Sequence, residues 1–198
     1  FYQLIALNKT TQINNLIVDR IHNETLPLSQ HGIDILHSEE VQLNAIRLTN
    51  VGGDVEGQSA WASGLTIIDS SGQITNLYVA DMVSATLKHI GVSVLSSAIT
   101  GTNWKILRYA GTPLELQSNR HFFLTNFLID CAYKTNSAQT ASWGITLGGG
   151  GQYYDVNQQT RSISNFYGRE THLSNGVIKR CNYGIRKSTG NLFVDNVE

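Results

Sequence analysis

The chain has 198 residues, enough for one domain, or part of one, with a sizeable core. Asp and Glu total 15 against 14 Lys and Arg, so the formal net charge is -1, without the basic field of a nucleic-acid binder. Charged residues make up 15%, below the roughly 25% of an ordinary soluble domain, while Asn, Gln, Ser and Thr number 62.

That mixture disfavours helices and favours short strands joined by Asn, Gly and Ser turns. With 41% apolar residues spread throughout, disorder is excluded as well. No run approaches the ~20 consecutive apolar residues of a membrane-spanning helix, so membrane insertion is not expected. No signal-peptide pattern opens the chain. With Phe1 first and Val197-Glu198 in a strand-like pattern last, residues 1–198 read as a single segment of a longer polypeptide.

A nine-residue template recurs along the chain, with apolar residues at positions 1, 4, 6 and 9 and Asn at position 3. It covers Ile13–Ile21, Ile74–Met82, Leu124–Ala132 and Leu173–Cys181, the last with Gly176 at position 4. Looser matches begin at Leu43, with Ala45 in place of Asn, and at Gly101 and Thr189. The steps between windows are 30, 31, 27, 23, 49 and 16 residues. The step of 49 implies a missed coil near Gly148–Gly151. Constant strands with variable spacing suit a β-solenoid, whose insertions project sideways from stacked coils.

Strand alternation points position 6 inward. Val18, Leu48, Val79, Ile106, Ile129, Ile178 and Val194 should therefore stack as an aliphatic ladder at ~4.8 Å per coil. Asn at position 3, just before the strand, tolerates the left-handed region and can bond the same amide one coil away. Position 5 points outward, and Ile17, Leu128 and Phe193 there suggest an apolar stripe that another chain would bury. Asp130, Lys179 and Asp195 share position 7, with Lys179 and Asp195 as expected neighbours.

The Asn-punctuated strands, and Leu173-Ser174-Asn175-Gly176-Val177-Ile178 leading into Asn182-Tyr183-Gly184-Ile185, resemble the pectate-lyase-like superfamily. The fold that this resemblance implies is an all-β, right-handed parallel β-helix of about seven to eight coils with loop insertions. Within the superfamily the low charge and polar richness look most like a bacteriophage tailspike. The resemblance implies a virion or extracellular location, a homotrimer, and other phage tail proteins as partners. Its ligand would be bacterial surface polysaccharide, capsule or O-antigen, bound and cleaved along the outer groove. A non-catalytic adhesin or structural shaft is one alternative, and a secreted pectinase-like lyase another.

Glycoside hydrolysis needs two carboxyls ~5 to 9.5 Å apart. Asp81 and Asp130, at positions 8 and 7, and Asp155 and Glu170, flanking the long insertion, are the candidate acids. Asp81 and Asp130 should stand ~10 Å apart along the axis, one coil lying between them. Asp54 and Glu56 form a weaker pair, and Arg169, His172 and Arg180 could serve a lyase. Trp61, Trp143, Tyr153 and Tyr154 offer aromatic faces for sugar rings.

The six histidines lack metal-ligand spacing, and neither a phosphate loop nor a Gly-x-Ser-x-Gly elbow is present. No metal or cofactor is expected. With an extra coil between them, Cys131 and Cys181 should lie ~10 Å apart, beyond the ~7 Å Cα limit of a disulfide, and stay free thiols.

Overall fold

The structure, a computed structural model, describes residues 9–20, 30–51, 62–81, 89–108, 111–131, 143–148, 151–154, 160–163 and 170–198. Regular structure among them is entirely strand. One set of strands comprises β1 (Thr10–Asn14), β2 (Ile17–Asp19), β4 (Glu40–Thr49), β6 (Ser71–Ala80), β8 (Ala98–Leu107), β10 (His121–Asp130), β14 (Glu170–Lys179) and β16 (Asn191–Val197). The alternating set comprises β3 (Gln30–Leu36), β5 (Ala62–Ile68), β7 (His89–Leu95), β9 (Thr112–Gln117), β11 (Trp143–Gly148) and β15 (Tyr183–Lys187). A further pair, β12 (Gly151–Tyr154) and β13 (Thr160–Ile163), is antiparallel and belongs to neither sheet.

The first sheet runs β1-β4-β6-β8-β10-β14-β16, with β2 also against β4, and the second runs β3-β5-β7-β9-β11-β15. Every pairing in both sheets is parallel. The chain thus crosses from sheet to sheet and back, rising one rung each time. This is a parallel β-helix.

The template sets the register. Ile13, Leu43, Ile74, Gly101, Leu124 and Leu173 are successive partners across the first sheet. Position 6 forms the inward ladder Val18–Leu48–Val79–Ile106–Ile129–Ile178, buried in the middle and half-buried at its two ends. The second sheet faces it with Ile33–Leu65–Val92–Leu114–Ile145–Ile185. Parallel stacking of aliphatic side chains on like side chains buries apolar surface on every rung, and that burial is the main force holding the solenoid.

Size changes along the core compensate one another. Position 1 shrinks to Gly101 where Trp104 fills the interior, and a Cβ on Gly101 would stand 2.7 Å from Trp104 Cε2 and 2.8 Å from Leu124 Cδ1. Position 4 shrinks to Gly176 beneath Phe127, whose ring occupies the space a side chain would take.

Asn at position 3 bends the rung from within the strand rather than preceding it. Asn15, Asn76, Asn103, Asn126, Asn175 and Asn196 all take left-handed φ of 51–58°, as does Ala45 at 55°. Asn103 Nδ2 donates to Asn76 Oδ1 at 3.1 Å, and Asn196 Nδ2 donates to Asn175 Oδ1 at 2.9 Å. Where Ala45 breaks the amide stack, neighbouring Asn44 accepts from Asn76 Nδ2 at 2.9 Å. A different corner carries a buried ladder: the Ser38, Ser70 and Ser97 amides donate to Ser70 Oγ, Ser97 Oγ and Asn119 Oδ1 at 3.0–3.1 Å. Both ladders satisfy backbone or amide groups that a bent chain would otherwise strand.

Several expectations are corrected. There is no extra coil near Gly148–Gly151, because β10 pairs directly with β14. The long step holds residues 132–142, β11, and a stretch containing the β12–β13 hairpin. The last window begins at Val194, the partner of Leu173, not at Thr189, so Asn196 is the corner residue and Val194 leaves the position-6 ladder. Val194 is 48% exposed. Asp195 consequently faces Ser174, and it is Asp130 that Lys179 approaches, at 4.0 Å. The outward stripe also dissolves: Arg47, Tyr78 and Lys105 separate Ile17 from Leu128, and Phe193 stands beside His172 in another row.

The cysteines are bonded. Adjacency of β10 and β14 brings the Cys131 and Cys181 Cα atoms to 4.8 Å, and a disulfide joins them, leaving no free cysteine.

Candidate functional site

The outward face of the second sheet changes character along its length. Toward β3 it is closed: Asp34, Ser63, Thr66 and Ser93 are buried, and Leu36, Ile68 and Leu95 form a second apolar cluster. His31 Nδ1 lies 2.7 Å from Asp34 Oδ1 there. Toward β15 the face opens, and the outward row reads Ser93, Glu115, Thr146, Arg186 on successive rungs. Alternation puts these four outside because Val92, Leu114, Ile145 and Ile185, one residue earlier on each strand, are committed to the core.

Glu115 is half-buried, and its Oε2 accepts from Ser93 Oγ at 3.3 Å. Desolvation pushes its carboxyl above the usual range, against the opposing pull of hydrogen bonds from Gln117 and Ser93. On the next rung Thr146 Oγ1 is buried without a hydrogen-bond partner among the described residues. A buried hydroxyl left unpaired costs about 1–3 kcal/mol. One rung further, Arg186 holds its guanidinium 4.8 Å from the centre of the Trp143 ring. Trp143 in turn stacks on its register partner Tyr183, ring centres 4.3 Å apart and planes 17° from parallel. Tyr183 is 53% exposed. The result is an aromatic and cationic ledge in line with a desolvated carboxyl.

The expected acids stand elsewhere. Asp81, at a left-handed corner, has both carboxylate oxygens engaged by Arg108, through Nε and Nη2. That bidentate contact, aided by the Tyr78 hydroxyl, raises the Arg108 pKa further. Asp130 is buried, and Arg180 donates Nε to its Oδ1 at 2.8 Å and Nη2 to its Oδ2. Register places the two acids two rungs apart, about 10 Å along the axis, with Arg108 on the rung between. Both carboxylates are thus held in bidentate arginine pairs at the corners.

Glu170 is exposed at the start of β14, the opposite end of that strand from Lys179 and Asp130, and lies 3.3 Å from His172 Nε2. Tyr153 and Tyr154 sit on β12 opposite Arg161 and Thr160. Trp61, Asp54, Glu56, Asp155 and Arg169 lie outside the described residues. Among the described residues no three His, Cys, Asp or Glu come together as a metal site.

Two features were missed from sequence. Glu115 escaped notice because its strand lies outside the nine-residue template. The signal existed: Gly32, Gly64, Gly91, Gly144 and Gly184, with Pro113, each precede an inward aliphatic on the second sheet and mark a second repeat. A Cβ on Gly32 would meet the Gly64 carbonyl at 2.5 Å, one on Gly91 the Pro113 carbonyl at 2.4 Å and one on Gly144 the Gly184 carbonyl at 2.5 Å, so these rungs approach too closely for a side chain. The other feature is an outward stack on the first sheet, Phe123–His172–Phe193, with ring centres 4.6 and 4.5 Å apart.

Comparison with family models, with curated proteins and with solved structures returned no match.

Proposed function

We propose that this chain is a glycan-recognising β-helix of the tailspike kind, which binds bacterial surface polysaccharide along the outer face of its second sheet. The observation that carries this reading is the Trp143–Tyr183–Arg186 ledge in line with Glu115 and Thr146. Stacked rings offer an apolar platform for a sugar face, and the adjacent hydroxyl, carboxyl and guanidinium match sugar hydroxyls. A disulfide between rungs fits the oxidising, extracellular setting of a virion or secreted protein. Homotrimer assembly and attachment to other tail proteins belong to the same proposal and rest on the tailspike resemblance.

Hydrolysis of the bound glycan is the second reading, favoured by one observation. Burial pushes the Glu115 carboxyl above the usual range, the direction a general acid needs. Glu115 replaces Asp130 and Asp81 as the candidate acid, since arginines engage both of those.

Affinity electrophoresis in purified capsular and O-antigen polysaccharides tests binding. The parent protein is expected to be retarded, and a folded Trp143→Ala variant to run freely. Equal retardation of both would move the site off the ledge. Release of reducing ends by the parent but not by Glu115→Gln would add cleavage to binding.

A further inference from the structure

The Cys131–Cys181 disulfide lies next to the ledge. Cys131 directly follows β10, and Cys181 lies in the short connection between β14 and β15. Within the 50 residues separating them falls β11, which begins with Trp143. Gly144, beside Trp143, packs so tightly that a Cβ would stand 2.6 Å from Ile178 Cγ2 and 3.4 Å from Cys181 Sγ. Tyr183, the ring stacked on Trp143, is two residues beyond Cys181.

β15 is laid against β11 by the pairs Trp143–Tyr183, Ile145–Ile185, Thr146–Arg186 and Leu147–Lys187. Ile185 is its single inward side chain packed against the core, and it is only half-buried. The stack beneath is different: Trp104 is 1% exposed, with its indole N–H donating to the Ile74 carbonyl at 2.9 Å.

We propose that the Cys131–Cys181 disulfide is the positioning element of the ledge, holding Tyr183 and Arg186 against Trp143 so that glycan binding requires the bond intact. The inference rests on the glycan-binding reading for its functional half only. Its structural half stands on geometry.

The test uses the intact oxidised protein, the same protein reduced with dithiothreitol, and the Cys131→Ser/Cys181→Ser variant. Reduction takes two electrons and two protons from the dithiol, which closes to its own cyclic disulfide, and leaves two thiols. Acrylamide quenching assigned to Trp143, as the part absent from Trp143→Phe, is expected to rise about twofold or more on reduction. Quenching of the remaining tryptophans and the far-ultraviolet strand signal should stay constant. Affinity for the polysaccharide retained by the oxidised protein should fall about tenfold or more and return on reoxidation. Reduction of the already folded protein keeps the test usable if the double variant does not fold. Unchanged Trp143 quenching overturns the proposal whatever the affinity does, and so does loss of the whole strand signal, which would make the bond a global staple. Increased quenching in a protein whose oxidised form binds no polysaccharide upholds the positioning role and overturns the glycan reading instead.

Discussion

Gly176 offers a sharp test of how this core is packed. Its neighbour on the adjacent rung is Phe127, and a Cβ on Gly176 would overlap the ring carbons Cε1, Cζ and Cδ1. These carbons belong to a ring that is itself buried in the close-packed core. Gly176→Ala should therefore cost about 1–3 kcal/mol through overpacking, in spite of the backbone entropy that alanine saves. Phe127→Leu alone opens a partial void and should cost about 1–2 kcal/mol. Together the changes relieve one another, because the smaller leucine leaves room for the new methyl. The double variant should be more stable than the sum of the singles predicts, by at least about 1 kcal/mol. Urea denaturation followed by circular dichroism measures all four proteins. Additive costs would show that Gly176 and Phe127 do not share the space the geometry assigns them.

Three further outcomes follow. A carboxyl raised in the fold binds its proton more tightly folded than unfolded, so Glu115 favours the fold below the usual 4.5 and loses that contribution as pH rises through its raised value. The stability of the parent relative to Glu115→Gln should accordingly fall between pH 4 and pH 8, and an equal difference at both would contradict the burial of Glu115. Asp130→Asn removes the charge that Arg180 clasps, and with Arg180 60% exposed the loss should be modest, a few degrees in Tm at most. Polysaccharide retardation by that variant should match the parent, whereas its loss would return Asp130 to the site. Intact mass under non-reducing conditions should lie two hydrogens below the reduced mass and neither cysteine should alkylate; labelling of both would show that the bond is not formed.

The nine-residue template was legible because each of its features is local. Inward aliphatics at position 6 follow from strand alternation, and Asn at position 3 from its tolerance of the left-handed region, whichever rung lies next door. Register from Ile13 to Leu124 could be read from those features alone. Glu115 was not legible in the same way, since its environment is made by Ser93 and the neighbouring rungs as well as by Gln117 of its own strand.

Sequence by itself thus determined an all-β chain of repeating short strands, the ladder that fills it, and the amides that turn its corners. The tertiary structure alone decided which windows are neighbours. Spacing in sequence counts residues, and an insertion adds residues without adding a rung, so the interval from Leu124 to Leu173 could equally hold one turn or two. Pairing of β10 with β14 resolves it to one. From that single adjacency come the disulfide between Cys131 and Cys181 and the grip of Arg180 on Asp130. Both depend on contact across the ~4.8 Å between rungs, a distance that the linear order of residues does not contain.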